Sequence, residues 1–222
     1  MSYIEFISTY DRKSIEETEH PEHSLMETIV ENRFKEGFAR FVIRTTDIEK
    51  TANHFRNKGL NIVGPVPLSR RSPDGTLIEW KLLFVGEQKK ELKLPYFIQW
   101  EETDEERKID LMDKKVLIPH PSGAVLSHIM IAVKDVDEMT KKWADLLGLS
   151  IGSQYIDEEI KAKCIPLMLP GCNLVFCSPT KEGIVSRILS NEGEKIFQVE
   201  LISPVVSHAF KLLGGSYKIN RL

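Results

Sequence analysis

Two stretches of this chain read alike: Ala39–Leu60, ARFVIRTTDIEKTANHFRNKGL, and Ser127–Leu149, SHIMIAVKDVDEMTKKWADLLGL. Each opens with a short apolar strand and closes on a polar turn ending in Asp, at Asp47 and Asp135. Each then runs at once into a segment of helical spacing that stops at Gly-Leu. An Asp in that place is an N-cap, whose carboxylate accepts from the free amides of the first helical turn. A strand–cap–helix unit used twice says the fold is assembled from copies of one βα module. It also gives an internal alignment, with Arg40 opposite His128.

The 222 residues suffice for one large domain or two small ones with a real core. Hydrophobic residues at 41% and charged residues at 28% describe an ordinary soluble globular chain. A net charge of −3 lacks the basic footprint of a nucleic-acid binder. No apolar run approaches the roughly 18–20 residues that span a bilayer. The N-terminal stretch MSYIEFISTYDRKSIEE is not patterned as a signal peptide. Three cysteines, Cys164, Cys172 and Cys177, are an odd number on an apolar, strand-rich stretch. They read as buried reduced thiols and place the protein in the cytoplasm.

Working outward from the repeats, Tyr3–Ser8 alternates as a strand, and Ser14–Arg33 reads as a helical excursion. Ser69–Gly75 is turn-rich, and Ile78–Val85 and Tyr96–Trp100 read as strands joined by the charge run EQKKELK. Glu101–Lys115 reads as an exposed charged helix. The second half repeats the order, with strands near 154–157, 163–169 and 173–178, a short helix at 183–189 and a strand at 195–202. Val205–Leu213 reads as a helix capped by Gly214-Gly215, before a closing strand at 217–219. Domains are expected at 1–115 and 116–222. Helices segregated from short, tightly turned strands indicate an α+β fold rather than a doubly wound parallel sheet.

The run RRSPDGTLIEW (Arg70, Arg71, Pro73, Asp74, Gly75, Trp80), then LPYFIQW (Leu94–Trp100) and HPSGA (His120–Ala124), resembles the glyoxalase-like branch of the vicinal oxygen chelate superfamily. The resemblance is most specific over residues 36–130. It implies paired βαβββ units whose curved mixed sheets surround a cavity. The activity it implies is that of a lyase, isomerase or dioxygenase acting on a small molecule. A metal-free binding or sequestering protein, or a non-catalytic scaffold, is the alternative. A complete first unit would start with a strand and helix ahead of YIEFIS, so a truncated start or a strand-exchanged homodimer is expected.

In metal-using members of that superfamily, His and Glu from first and last strands hold a divalent ion. The internal alignment puts Glu5, Arg40 and Gln99 at such positions in the first half and His128 in the second. Arginine cannot serve as a ligand, so no set of three emerges and no cofactor is assigned. Glu5, Gln99 and His128 are the metal candidates. The alternative chemistry is a polar floor for an anionic ligand, with Glu5 as base and Arg40 and Gln99 orienting its oxygens. An Arg40–Glu5 ion pair inside the sheet is an equally open reading. Arg70 and Arg71 on their loop, and Trp80 and Trp100 on neighbouring strands, are further substrate-binding candidates, although aromatic residues at strand spacing are more often core. His128 is offset from the apolar Ile129–Ile131–Val133 face and points with Met130 to the other side. Its last-strand partner is expected near Val175–Cys177, with Phe197 presented by the next strand.

Overall fold

The structure is a computed structural model describing residues 2–87 and 92–222. The chain forms two compact units. One holds residues 6–35 and 39–118; the other holds the N-terminal residues through Glu5, then 36–38 and 119–222.

In the first unit, α1 (Arg12–Glu17) and α2 (Leu25–Glu31) occupy the expected helical excursion. They are separate because Pro21 cannot continue a helix, and each restarts on its own cap, Asp11 or Ser24. The first copy of the repeat gives β1 (Val42–Arg44) and α3 (Ile48–Asn57). There follow β2 (Asn61–Arg71), β3 (Leu77–Gly86), β4 (Tyr96–Trp100) and the charged helix α4 (Asp104–Asp113). The sheet order is β1-β4-β3-β2, with β1 parallel to β4 and the other pairs antiparallel. The middle of the charge run, residues 88–91, lies outside the described residues. Helix α3 buries Ile48, Ala52 and Phe55 on one face of this sheet, with Phe55 5.0 Å from Phe97 between ring centroids.

In the second unit, β5 (Val125–Ala132) and α5 (Val136–Leu147) are the second copy, followed by β6 (Ser150–Ile151), β7 (Tyr155–Asp157), β8 (Ala162–Met168) and β9 (Asn173–Pro179). Then come α6 (Ile184–Glu192), β10 (Lys195–Ser203), β11 (His208–Leu212) and β12 (Gly215–Arg221). The sheet order is β11-β12-β10-β5-β9-β8-β6, with β7 paired to β8. Side chains alternate across β5. Ile131 and Val133 are fully buried, and α5 packs on β8 and β9 with Trp143 5.2 Å from Phe176. Met130 and Ala132 face the other way, into a cluster with Ala162, Cys164, Val175, Cys177, Val185 and Phe197 beneath α6.

The caps work as the repeat predicts. Asp47 Oδ1 accepts from Lys50 N–H at 2.9 Å, and Asp135 Oδ1 from Asp137 and Glu138 N–H at 3.0 and 2.9 Å. Gly148 then ends α5 in the left-handed conformation at φ 65°.

Two expectations are corrected. Tyr3–Ser8 is not a strand: it is irregular and exposed, and it pairs with no strand among the described residues. Alternation marks a strand only when something buries one side. The stretch Val205–Leu213 is not a helix but leads into β11, which pairs antiparallel with β12 around Leu213-Gly214. Both turn residues have positive φ, 46° and 72°, as a two-residue hairpin requires. Glycine supplies that conformation to helix ends and hairpins alike, so the Gly-Gly signal pointed to either.

Candidate functional site

The face of the four-stranded sheet opposite α3 carries Arg40 and Arg44 from the first-strand segment, Tyr96, Ile98 and Trp100 from β4, and Trp80 from β3. This follows from the register Arg44↔Ile98 and Trp80↔Trp100. The two indoles lie side by side, with ring centroids 5.6 Å apart and planes at 50°. Helix α4 starts beside them because Thr103 and Glu106 form a reciprocal capping box. Asp104 and Arg107, three residues apart, therefore share one side of the helix. Asp104 Oδ2 pairs with Arg44 Nη1 at 2.7 Å. The Arg107 guanidinium lies over Trp100, its central carbon 3.6 Å from the ring centroid, a close cation–π contact. Its Nη1 is 3.6 Å from Glu102 Oε2. The Nε atoms of Arg44 and Arg107 are both buried and have no partner among the described residues. A buried donor left unpaired costs free energy. This end of the sheet therefore sets two guanidiniums, each with a buried Nε–H, beside a pair of indoles.

Arg40 and Gln99 are engaged elsewhere in the same unit. Arg40 Nη1 donates to His23 O and Thr28 Oγ1, each at 3.1 Å, and Nη2 donates to Leu94 O. It also lies over the Tyr96 ring at 5.6 Å. Burial pulls its pKa down to about 10, so it stays charged at neutral pH and ties α2 and the segment before β4 to the sheet. Gln99 Oε1 accepts from Ile48 N–H at 2.7 Å, capping α3 together with Asp47. Arg70 and Arg71 are exposed at the end of β2, and Arg71 Nη1 donates to Gly75 O across the hairpin turn at 3.2 Å. In that turn, hydrogen bonds from the Thr76 backbone, and then Lys114, hold the Asp74 carboxyl below the ordinary range. Glu5 is exposed on the irregular N-terminal segment.

On the eight-stranded sheet, His128 faces Asn173 on β9 and Glu200 on β10. The expected partners Val175–Cys177 and Phe197 sit further along. Register slips between Ile196 and Gln198, and again between Glu200 and Leu201, bring Glu200 opposite His128. His128 Nε2 lies 3.3 Å from Glu200 Oε2, and its Nδ1 lies 3.0 Å from Ser127 Oγ. Gln198 Nε2 and Asn220 Nδ2 each donate to Glu200 at 2.6 Å. Burial pushes the Glu200 carboxyl up, but these bonds outweigh it and hold the group below the ordinary glutamate value. With side-chain exposures of 22% for His128 and 9% for Glu200, the pair forms a nearly closed polar centre.

Glu200 was not among the candidate residues. A lone carboxylate in KIFQVELI was its sequence signal, and the bulge hid which side of the strand it faced. His128 and Glu200 are two ligands of the kind a divalent ion takes. Among the described residues, no group of three or more His, Cys, Asp or Glu side chains is gathered. No helix among them is long and apolar enough to cross a membrane.

A family model described as "Glyoxalase-like domain" matches residues 1–147, about two thirds of the chain. The chain belongs to this family. The glyoxalase-like protein takes the mixed α+β fold of the vicinal oxygen chelate superfamily, with curved mixed sheets that do not close. A hypothetical protein from Staphylococcus aureus matches 95% of this chain and 76% of its own at 19% identity, with a TM-score of 0.73. Methylmalonyl-CoA epimerase from Mycobacterium tuberculosis matches 47% of this chain and 91% of its own at 16% identity, with a TM-score of 0.41. No curated protein matches the sequence.

Proposed function

We propose that this glyoxalase-like protein binds a small anionic, oxygen-rich molecule on the face of its four-stranded sheet opposite α3. In this reading Arg44 and Arg107 hold the anion above Trp80 and Trp100. The observation that carries it is two guanidiniums beside the paired indoles, each with a buried Nε–H donor that has no partner among the described residues. A carboxylate or phosphate oxygen meets such an edge in a charge-assisted bond. A flat apolar body stacks on indole. Binding without turnover is the better-supported form. The face's nearby carboxylates, Glu102 and Asp104, are each paired to an arginine, and arginine accepts no proton at neutral pH. A homodimer is part of the proposal: β1 ends its sheet, and its second edge pairs with no strand among the described residues.

The test is thermal stabilisation by a panel of phosphate and of aliphatic and aromatic carboxylates, with Arg44→Ala and Arg107→Ala compared. Losing one charge-assisted bond, about 1.5–3 kcal/mol, weakens binding roughly 10- to 100-fold. A panel that leaves the unfolding midpoint unmoved, or variants that bind like the parent, would refute the assignment.

A further inference from the structure

We infer that Cys164 and Cys177 are a preformed dithiol, a covalent modification site that peroxide-class oxidants close into a disulfide linking β8 to β9. The two residues are register partners on adjacent antiparallel strands, so their Cβ atoms leave the same side of the sheet. The Sγ atoms lie 3.1 Å apart. Directly paired antiparallel residues have Cα atoms about 4.5–5.5 Å apart, inside the range of about 4.4–6.8 Å that a disulfide spans. The bond therefore needs sulfur movement but no strand movement.

The pair sits in the apolar cluster under α6, with Tyr155 of β7 registered beside Cys164. The Cys164 hydrogen bond, and then burial, push the Cys177 thiol far up, so it stays protonated at neutral pH, and both cysteines are free thiols. Cys172 is half-buried, and its thiol is pushed up to about 11 by burial alone. It is a free thiol without a cysteine partner among the described residues, and its sulfur lies 4.0 Å from Asn173 O. The chemistry balances with hydrogen peroxide as oxidant. One thiol gives its two electrons to the peroxide O–O bond and becomes a sulfenic acid, releasing water. The second sulfur attacks that sulfur, and its proton leaves with the hydroxyl as a second water. Burial makes the first step slow, but the second faces a partner already in place.

Cleavage after Lys163 and Lys181 puts all three cysteines on one peptide, CIPLMLPGCNLVFCSPTK. A Cys172→Ser variant leaves a single pairing. The folded variant is treated with hydrogen peroxide, denatured, alkylated with iodoacetamide, digested and weighed. The expected peptide is lighter by two hydrogens and carries no alkyl group, and reduction before alkylation restores both sites. The oxidised protein unfolds at a higher temperature than the reduced one. Overturning results are alkylation of both Cys164 and Cys177 after prolonged oxidation, sulfinic acid at either without a bond, or a lowered unfolding temperature, which would mean that closure strains the sheet.

Discussion

Replacing Arg40 with Ala separates a ligand anchor from a structural tie. Its guanidinium makes three hydrogen bonds, to His23 O, Thr28 Oγ1 and Leu94 O, on three separate stretches of the same unit. Hydrogen bonds to a charged group contribute about 1.5–3 kcal/mol each. Bonds from one side chain are not independent. Truncation also relieves the cost of burying the cation, seen in its pKa pulled down to about 10. The loss should therefore come to about 3 kcal/mol, short of the three bonds taken separately. For a chain of this size that is a fall of roughly 6–12 °C in unfolding temperature. Urea unfolding followed by tryptophan fluorescence is the assay, because Trp80 and Trp100 lie in the same unit as Arg40. Arg40→Lys should keep most of the loss, since one ammonium cannot replace a planar fork serving three acceptors. A loss below about 1 kcal/mol with an unchanged urea slope would refute the tie and return Arg40 to the ligand site.

Glu200 makes the acid limb of stability testable. Its folded carboxyl is held below the ordinary value of 4.5 by His128, Gln198 and Asn220. The folded state therefore binds fewer protons than the unfolded one in this window. Stability from this group is present above about 4.5 and lost as pH falls through the folded value. Glu200→Gln should flatten the pH dependence of the unfolding midpoint below that pH, and an unchanged slope would show that the carboxylate is not ionised in the fold. Asp47→Ala and Asp135→Ala should each cost about 1 kcal/mol in urea unfolding as lost N-caps. The Asp47 change should cost less, because Gln99 Oε1 still serves the first turn of α3; a larger loss there contradicts the shared cap.

The repeat was legible because its signals are local. An Asp cap, a helical apolar spacing and a terminal glycine act within a few residues of one another, and α3 and α5 follow where those signals place them. The orientation of His128 was legible for the same reason, since alternation along β5 is a property of the strand itself. The partners of these side chains were not. Arg40 and Gln99 share a sheet, but the chain brings a helix to each, so an arginine aligned with a ligand position became a tie and a glutamine became a cap.

By itself, the sequence determined the βα modules, their caps and the α+β class, because backbone preference and burial period are written residue by residue. Tertiary structure decided where the polar groups meet. The register slips around Phe197 and beyond Glu200 align Glu200 with His128, and the capping box of α4 sets Arg107 on Trp100. Bulges and helix docking depend on contacts between residues distant in sequence, and no local pattern records which side chains they bring together.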